Sequence, residues 1–472
     1  MDKKNKIESN RIITILIALS SLFIFLIVYL SYFEIFQADS ISNNNYNKRI
    51  WKEEEYTLRG SIVDRNDLIL ASSSQLDNKQ LREYHYGPLY SHIIGYNSRT
   101  LGKEGLEKAY NKELLNISES SSINEIKKIM SKSNLNPKGM DIRLTIDHKI
   151  QQYAEELLGK QKGSIIVMNP VNGEIYAMIS SPSFNSNRVN EDWDDIIKNQ
   201  DSPLINRATQ GLYAPGSIFK IITTASAIEN QDINTEYNCK GQISIDGFIL
   251  KDYSSRGHGN INLHQALVKS CNVAFGQIAL ELGQNNLQDT GERFLLNTPI
   301  SLDINTKKSV LFTGKMSKPD LASTGIGQGK TLVTPLNMIM MVSGIANKGK
   351  IVQPILVKDI LSSKGKVMKT NETTILSPAI STEIADTIKD MMVDVVKSGT
   401  GKGAALSSVK VAGKTGTAQV SGKKDHSWFV GFAPADNPKV SIVVLLENSG
   451  TTGGQSAAPI ARKIISKVLE RY

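Results

Sequence analysis

Two short strings far apart in the chain, Ser217-Ile218-Phe219-Lys220 and Lys414-Thr415-Gly416-Thr417, have Ser270-Cys271-Asn272 between them. A serine hydroxyl becomes a nucleophile when a base takes its proton. Here a lysine amine stands three residues on, within reach on the same side of a helical turn. That amine works as a base only when neutral, so Lys220 must lose its charge through burial or a nearby cation, and Lys414 is the candidate cation. Ser270 and Asn272 lie in an apolar run, Ala266 to Phe275, where a proton relay and an amide-holding side chain could belong. Thr415 and Thr417 offer hydroxyls to a carboxylate, and Gly416 would let a substrate backbone come close. The expected chemistry is acyl transfer through an ester on Ser217, with no histidine needed.

Context selects these strings over their rivals. Ser363/Lys366, Ser407/Lys410 and Ser421/Lys424 also match S-x-x-K but sit in Gly/Lys/Ser-rich, solvent-like stretches. Ser217 instead follows Tyr213-Ala214-Pro215-Gly216 and opens an apolar segment running to Ile228, which predicts a loop entering a buried helix. The positive end of that helix dipole favours an alkoxide or attached oxyanion. Val409 to Val420 is rich in β-branched and small residues, predicting a strand that carries substrate along its edge. Lys397-Ser398-Gly399 follows the helix-like run Ile384 to Val396 and reads as a helix exit. S-x-N is a weak string, matched also at Ser42/Asn44, Ser122/Asn124 and Ser183/Asn185, and gains weight from its order and setting.

S-x-x-K, S-x-N and K-T-G in this order resemble the penicillin-binding proteins, whose fold family includes the serine β-lactamases. The resemblance covers residues 141–472. It extends to Thr145-Ile146-Asp147, Asn169-Pro170, Gly173-Glu174-Ile175, Asn206-Arg207-Ala208, Gly325 to Gly329, Thr334-Pro335-Leu336, Gly399-Thr400-Gly401 and Trp428-Phe429-Val430-Gly431. Upstream, Arg59 to Ala71 looks like the class B signature, with Asp67 where glycine is usual, and Gly102 to Glu107 looks like its second patch. The resemblance implies a monofunctional class B transpeptidase of the short-pedestal branch. Its fold is α+β, an antiparallel sheet with helices on both sides, preceded by a small pedestal domain and one transmembrane helix.

The same resemblance implies the roles. Ser217 attacks a D-Ala-D-Ala peptide bond with Lys220 as base, and Ser270, helped by Lys414, protonates the departing D-alanine. The backbone N–H groups of Ser217 and Thr417 form an oxyanion hole, Asn272 holds the donor amide, and Thr415 and Thr417 bind the terminal carboxylate. Implied partners are peptidoglycan stem peptides, β-lactam antibiotics and a polytopic membrane glycosyltransferase; no cofactor is implied. Competing readings are a D,D-carboxypeptidase or β-lactamase, a membrane-anchored β-lactam sensor, and a catalytically silent scaffold for a cell-wall polymerase.

The remaining sequence supplies the elements that must hold these groups. Ile12 to Phe33 carries no charged side chain and is long enough to cross a bilayer. Lys3, Lys4, Lys6 and Arg11 precede it, so residues 1–11 are expected in the cytoplasm and the rest outside the bacterial cell membrane, anchored by a single pass. No small-x-small cleavage pattern follows at Tyr32 to Phe36, which favours a retained anchor over a signal peptide. The pedestal is expected over 34–140, with a polar linker at Asp39 to Asn47 and a boundary at Ser118 to Lys138. Within 141–472 the expected order is a helix (Lys149 to Leu158), a hairpin (Ser164 to Asn169 with Glu174 to Ser180), a mostly helical middle from Phe219 to Ala346, three closing strands, and a helix from Ala457 to Leu469. Opening and closing strands should complete one antiparallel sheet.

The net charge of +9 comes from scattered lysines without a basic aromatic stripe, which argues against nucleic acid and for a solvated surface facing an anionic envelope. The two cysteines, Cys239 and Cys271, are expected as free thiols. His85, His92, His148, His258, His264 and His426 form no H-E-x-x-H or clustered Cys/His pattern, so no metal is expected and they read as surface or hydrogen-bonded side chains.

Overall fold

A computed structural model describes residues 2–37, 57–76, 79–117, 138–230, 234–312 and 314–472. The linker expected at Asp39 to Asn47, and the boundary segment except Lys138, lie outside them. The chain divides into two units, Met1–Thr57 and Leu58–Tyr472. The first contains a helix, Asp2–Phe36, of which Arg11–Phe36 has a mean hydropathy of 2.8 and no buried side chains, as a candidate membrane span should.

The second unit is built around a five-stranded antiparallel sheet in the order Ala412–Ala418, His426–Ala433, Val440–Leu446, Gly163–Met168, Ile175–Ser181. This is the expected assembly, two opening strands completed by three closing ones. Alternate side chains feed two cores. Ile165, Val167, Ile442 and Val444 pack with Ile150, Ala154, Ile464 and Ile465 of the helices His148–Leu158 and Ala457–Leu469. Ile166, Met168, Val443 and Leu445 face the opposite core with Ile221, Ile222 and the apolar helix Pro335–Ala346. Because both faces are covered, Gly163–Met168, Ile175–Ser181 and Val440–Leu446 read as mostly hydrophobic runs rather than alternating ones. The opening hairpin turns at Asn169, whose Oδ1 accepts from the N–H groups of Val171 and Asn172. Asp147 caps the first helix and receives two guanidinium hydrogen bonds from Arg471, tying the C-terminal helix to it.

A second sheet of six strands joins the pedestal to the catalytic region: Ile62–Val63, Ile69–Leu76 and Lys79–Tyr84 share it with Asp141–Leu144, Val357–Leu361 and Val367–Thr370. The two class B patches meet here. Arg59 Nε and Arg82 Nε reach the two oxygens of Glu107 at 2.5 and 2.7 Å, with Arg59 and Glu107 fully buried. Asp67 has φ 64°, the left-handed region that explains why glycine is usual there. Aspartate tolerates this conformation, and its carboxylate accepts from Arg143 at 2.9 Å.

The middle of the chain is less helical than expected. Four short strands, Glu236–Cys239, Gln242–Ile245, Phe248–Lys251 and Gly259–Asn262, form two ribbons ahead of the helix Leu263–Lys269. Tyr237, Cys239, Ile245, Leu250 and Ile261 pack in the core beside the catalytic helices, but strands of four residues are too short for an alternating pattern to identify them.

Candidate active site

Ser217 lies in a 3-10 turn, Gly216–Ile218, that runs directly into the helix Lys220–Glu229. Ser217 and Lys220 stand three residues apart where this turn passes into the helix, a spacing that favours one side. Gly216 has φ 56°, and a Cβ there would stand 2.6 Å from the Thr417 carbonyl oxygen, so the turn is pressed against the K-T-G strand. Trp428 holds the same loop from below: it is fully buried, pairs with Gly416 in the sheet, and donates its indole N–H to Ala214 O at 3.1 Å. Ile218, Phe219 and Lys220 are buried around a partly exposed Ser217.

Ser270 closes the helix Leu263–Lys269 in the left-handed conformation, φ 57° and ψ 39°, and the next helix, Asn272–Arg293, starts two residues on. That conformation costs a non-glycine residue about 1–2 kcal/mol. It turns the carbonyl and hydroxyl of Ser270 toward one amine: Lys220 Nζ donates to Ser270 O at 2.7 Å, to Asn272 Oδ1 at 2.8 Å and to Ser270 Oγ at 3.4 Å. Lys414 Nζ donates to Ser270 Oγ from the other side at 2.8 Å and to Thr415 O at 3.2 Å. The hydroxyl of Ser270 thus bridges two lysines, each with no exposed surface.

Two buried ammonium groups beside one hydroxyl oppose each other's charge. Burial lowers Lys220 to about 8, against the opposing pull of Cys271 and Asp252. Burial, and then the charge of Lys220, hold Lys414 well below the ordinary lysine range. The sequence places the neutral amine at Lys220 and the cation at Lys414; the environment depresses both. When Lys220 is neutral, Ser270 O and Asn272 Oδ1 occupy its two N–H groups and leave the nitrogen lone pair for a proton. Ser217 Oγ makes no hydrogen bond among the described residues, so its proton is not committed elsewhere.

Asn272 is already engaged: Nδ2 donates to Lys251 O at 3.0 Å while Oδ1 accepts from Lys220 Nζ, which leaves Oδ1 a second lone pair. Gly416 is also constrained from inside the protein. A Cβ there would meet Pro215 O and Trp428 Cβ at 3.0 Å, a tight fit against the loop that carries Ser217. Gly453 packs on the same point, where a Cβ would stand 2.5 Å from Gly416 O.

Sequence reasoning left Thr400 and Asp252 out of the site. Thr400 Oγ1 lies 2.7 Å from Thr415 Oγ1, and a Cβ on Gly399 would stand 2.4 Å from Val268 O. The segment read as a helix exit is one, after Thr382–Lys397, and it also braces the K-T-G strand and the S-x-N helix. The signal was present in Gly399-Thr400-Gly401. Asp252 accepts from Asn272 N at 2.8 Å and had no local signal. The fold also gathers Cys239, Asp252, His258 and Cys271, with donor atoms within 4.8 Å of one another, which corrects the expectation that histidine and cysteine form no cluster and supplies residues able to hold a metal. Neither cysteine forms a disulfide, as expected.

Comparison with known proteins agrees with this geometry. Residues 163–466 match the family model of the penicillin binding protein transpeptidase domain, and residues 59–142 match the penicillin binding protein A dimerisation domain. The chain is 30% identical over 487 residues to the peptidoglycan D,D-transpeptidase PbpA of Mycolicibacterium smegmatis, covering 96% of this chain and 97% of the relative. It is 30% identical over 448 residues to peptidoglycan D,D-transpeptidase MrdA of Acinetobacter baumannii, covering 83% of this chain and 66% of that protein. The ceftriaxone acyl-enzyme complex of penicillin-binding protein A from M. tuberculosis superposes with a TM-score of 0.83 at 30% identity, covering 88% of this chain and 99% of that one. An Eggerthella lenta D,D-transpeptidase domain gives a TM-score of 0.79 at 33% identity, covering 88% of this chain and 99% of that one. The transpeptidase match spans more than half of the chain and the PbpA relative matches it nearly end to end, so the chain belongs to the class B penicillin-binding proteins.

Proposed function

We propose that the chain cross-links peptidoglycan as a serine D,D-transpeptidase. The observation that carries this reading is the bridge Lys220–Ser270–Lys414 beside Ser217, with Ser270 Oγ 2.8 Å from one amine and 3.4 Å from the other. The proton of Ser217 passes to neutral Lys220 as Oγ bonds to the carbonyl carbon of the penultimate D-alanine of a stem peptide. Charge developing on the carbonyl oxygen is met by the backbone N–H groups of Ser217 and Thr417. The C–N bond breaks, and the departing D-alanine nitrogen takes a proton from Ser270, which is resupplied by the lysine pair. The amine of a second stem peptide then attacks the ester, loses a proton to the same relay, and returns Ser217 to its hydroxyl form. Thr415, braced by Thr400, and Thr417 hold the terminal carboxylate, and Asn272 the donor amide.

β-Lactams trap the same serine, because their ring carbonyl takes the place of the scissile one. Residues 141–472 form the transpeptidase domain, 34–140 the pedestal, 12–33 a single membrane pass and 1–11 a cytoplasmic tail. This places the reaction outside the bacterial cell membrane, next to a polytopic glycosyltransferase that supplies the glycan strands. Incubating the full chain in detergent with lipid-linked glycan polymer and a fluorescent D-amino acid tests the assignment. Cross-linked product that vanishes with Ser217→Ala is expected; product that persists, or release of D-alanine to water without cross-links, would overturn it.

A further inference from the structure

A cavity of 270 Å³ opens where the pedestal meets the catalytic region, and none of the acyl-transfer residues lines it. Its walls come from stretches distant in sequence. In the pedestal, Asn97–Ser98 pairs with Gly102–Lys103, and Glu104 N donates to Tyr96 O at 3.1 Å, so Tyr96 and Glu104 stand side by side. Gly95 and Gly105 pack backbone to backbone behind them: a Cβ on Gly105, φ 61°, would stand 2.8 Å from Gly95 N. From the catalytic region, Asn206 opens a turn in which Gln210 N donates to Asn206 O at 2.8 Å, and Asn206 Nδ2 crosses to His92 O at 3.2 Å. Asn305 closes the remaining side, its Nδ2 donating to Glu104 Oε1 at 2.6 Å. The second class B patch thus folds against the segment that leads into Ser217.

The chemistry of the lining narrows what could enter. No lysine or arginine lines the cavity, so a phosphate or carboxylate would find no cation there. The one carboxylate, Glu104, already accepts from Asn305 and faces Lys108 at 3.9 Å. His92 is neutral, because burial lowers it to about 4. Its Nε2 lies 2.7 Å from Pro203 O, so the ring proton sits on that nitrogen and Nδ1 keeps its lone pair. His92 Nδ1 and Asn305 Oδ1 can accept, Gln210 Nε2 can donate and the Tyr96 hydroxyl can do both; none of these atoms has a partner among the described residues. An ammonium only donates and a carboxylate only accepts, whereas each hydroxyl of a sugar does both and matches this mixture. Apolar surface stands beside these atoms. Phe184 meets the rings of Tyr96 and His92 edge-on at 6.1 and 5.6 Å, and Leu204 and Ile304 line the same space. Such surfaces cover the C–H face of a pyranose and the methyl of an acetamido group.

We propose that this cavity binds one N-acetylated aminosugar residue of a glycan strand, with Gln210, Asn305, Tyr96 and His92 meeting its hydroxyl and acetamido groups. A volume of 270 Å³, just under the range of about 300–1,000 Å³ that holds drug-sized ligands, suits a single sugar. The choice of an aminosugar rests on the transpeptidase reading; the recognition of hydroxyls does not. The site holds the strand on the chain while its stem peptide reaches the nucleophile. The turn from Asn206 to Gln210 runs on into Tyr213 to Ser217, and Glu447 accepts from Arg207 within that turn, at 2.9 Å, and from Tyr213. A strand held here is therefore anchored to the segment that carries Ser217.

The test is calorimetric titration of the full chain, in a detergent without a sugar head group, with chitotetraose, a peptide-free chain of N-acetylglucosamine. A dissociation constant below about 1 mM is expected, weakened about tenfold or more in Glu104→Ala/Asn305→Ala at an unchanged melting temperature. Protein first acylated with penicillin G should bind the sugar equally well, because the cavity lies apart from the acyl-transfer residues. No binding by wild type, undiminished binding by the double variant, or loss of binding on acylation would each overturn the proposal. Saturable binding of lysine or inorganic phosphate in competition with the sugar would overturn the ligand class. These direct binding arms stand even if Ser217 takes no acyl group. In the cross-linking assay, excess chitotetraose should raise the KM for lipid-linked glycan polymer, and this arm alone rests on the transpeptidase reading. An unchanged KM beside intact sugar binding would refute the role in holding the strand.

Discussion

Replacing Ser270 separates two roles that its position combines. Its hydroxyl receives Lys414 at 2.8 Å and its backbone sits at φ 57°. A hydrogen bond to a charged group is worth about 1.5–3 kcal/mol, and a positioned proton-transfer group contributes roughly 10²–10⁴ in rate. Ser270→Ala and Ser270→Gly both remove the hydroxyl and should each lower the second-order rate of acylation by fluorescent penicillin by roughly 10²–10⁴. Their stabilities should differ, because the left-handed backbone costs alanine about 1–2 kcal/mol while glycine gives back about 0.5–1 kcal/mol in unfolded-state entropy. Ser270→Gly is therefore expected to melt higher than Ser270→Ala, by the equivalent of up to ~1 kcal/mol, at equal loss of activity. Time-resolved labelling and thermal melting of the full chain measure both. Labelling by Ser270→Gly within about threefold of wild type, or activity that tracks stability across the two variants, would refute the relay.

Four further outcomes follow from the structure. Lys220, lowered to about 8 by burial against Cys271 and Asp252 and facing Lys414, works as the neutral base, so acylation should rise about tenfold per unit as pH climbs toward 8 and level off above it. A profile flat from pH 6 to 9 would contradict this. The same shift has a stability sign: the unfolded lysine holds its proton up to its ordinary value of 10.5, so stability should increase with pH between about 8 and 10.5. Thr400→Val removes the 2.7 Å partner of Thr415 and should reduce acylation efficiency by about 2–10-fold with an unchanged melting temperature. Glu107→Ala leaves buried Arg59 and Arg82 without their carboxylate and should destabilise the chain by about 3–5 kcal/mol, read as a lowered melting temperature.

The parts of the site that were legible in the sequence are those where local pattern and tertiary role coincide. Ser217 and Lys220 sit on one turn, and Lys414 to Thr417 on one strand, so spacing carries their geometry. The five-stranded sheet was readable because its strands are apolar on both faces and its helices amphipathic. The short ribbons between Glu236 and Asn262 escaped, since each strand spans only four residues and their register depends on Gly257 and Gly241 fitting against backbone. Asp252 and His258 escaped for the same reason: only that register brings them to Cys239 and Cys271. Thr400 was visible as part of a motif but not as a contact, because its partner Thr415 lies across a loop whose path local sequence does not determine.

The most direct measurement is the mass and location of the acyl adduct. Incubation of the full chain with penicillin G, followed by intact mass analysis and peptide mapping, should give one adduct of the drug's mass on the peptide holding Ser217, and none with Ser217→Ala. An adduct on another residue, or unchanged labelling of that variant, would contradict the assignment of Ser217 as the nucleophile.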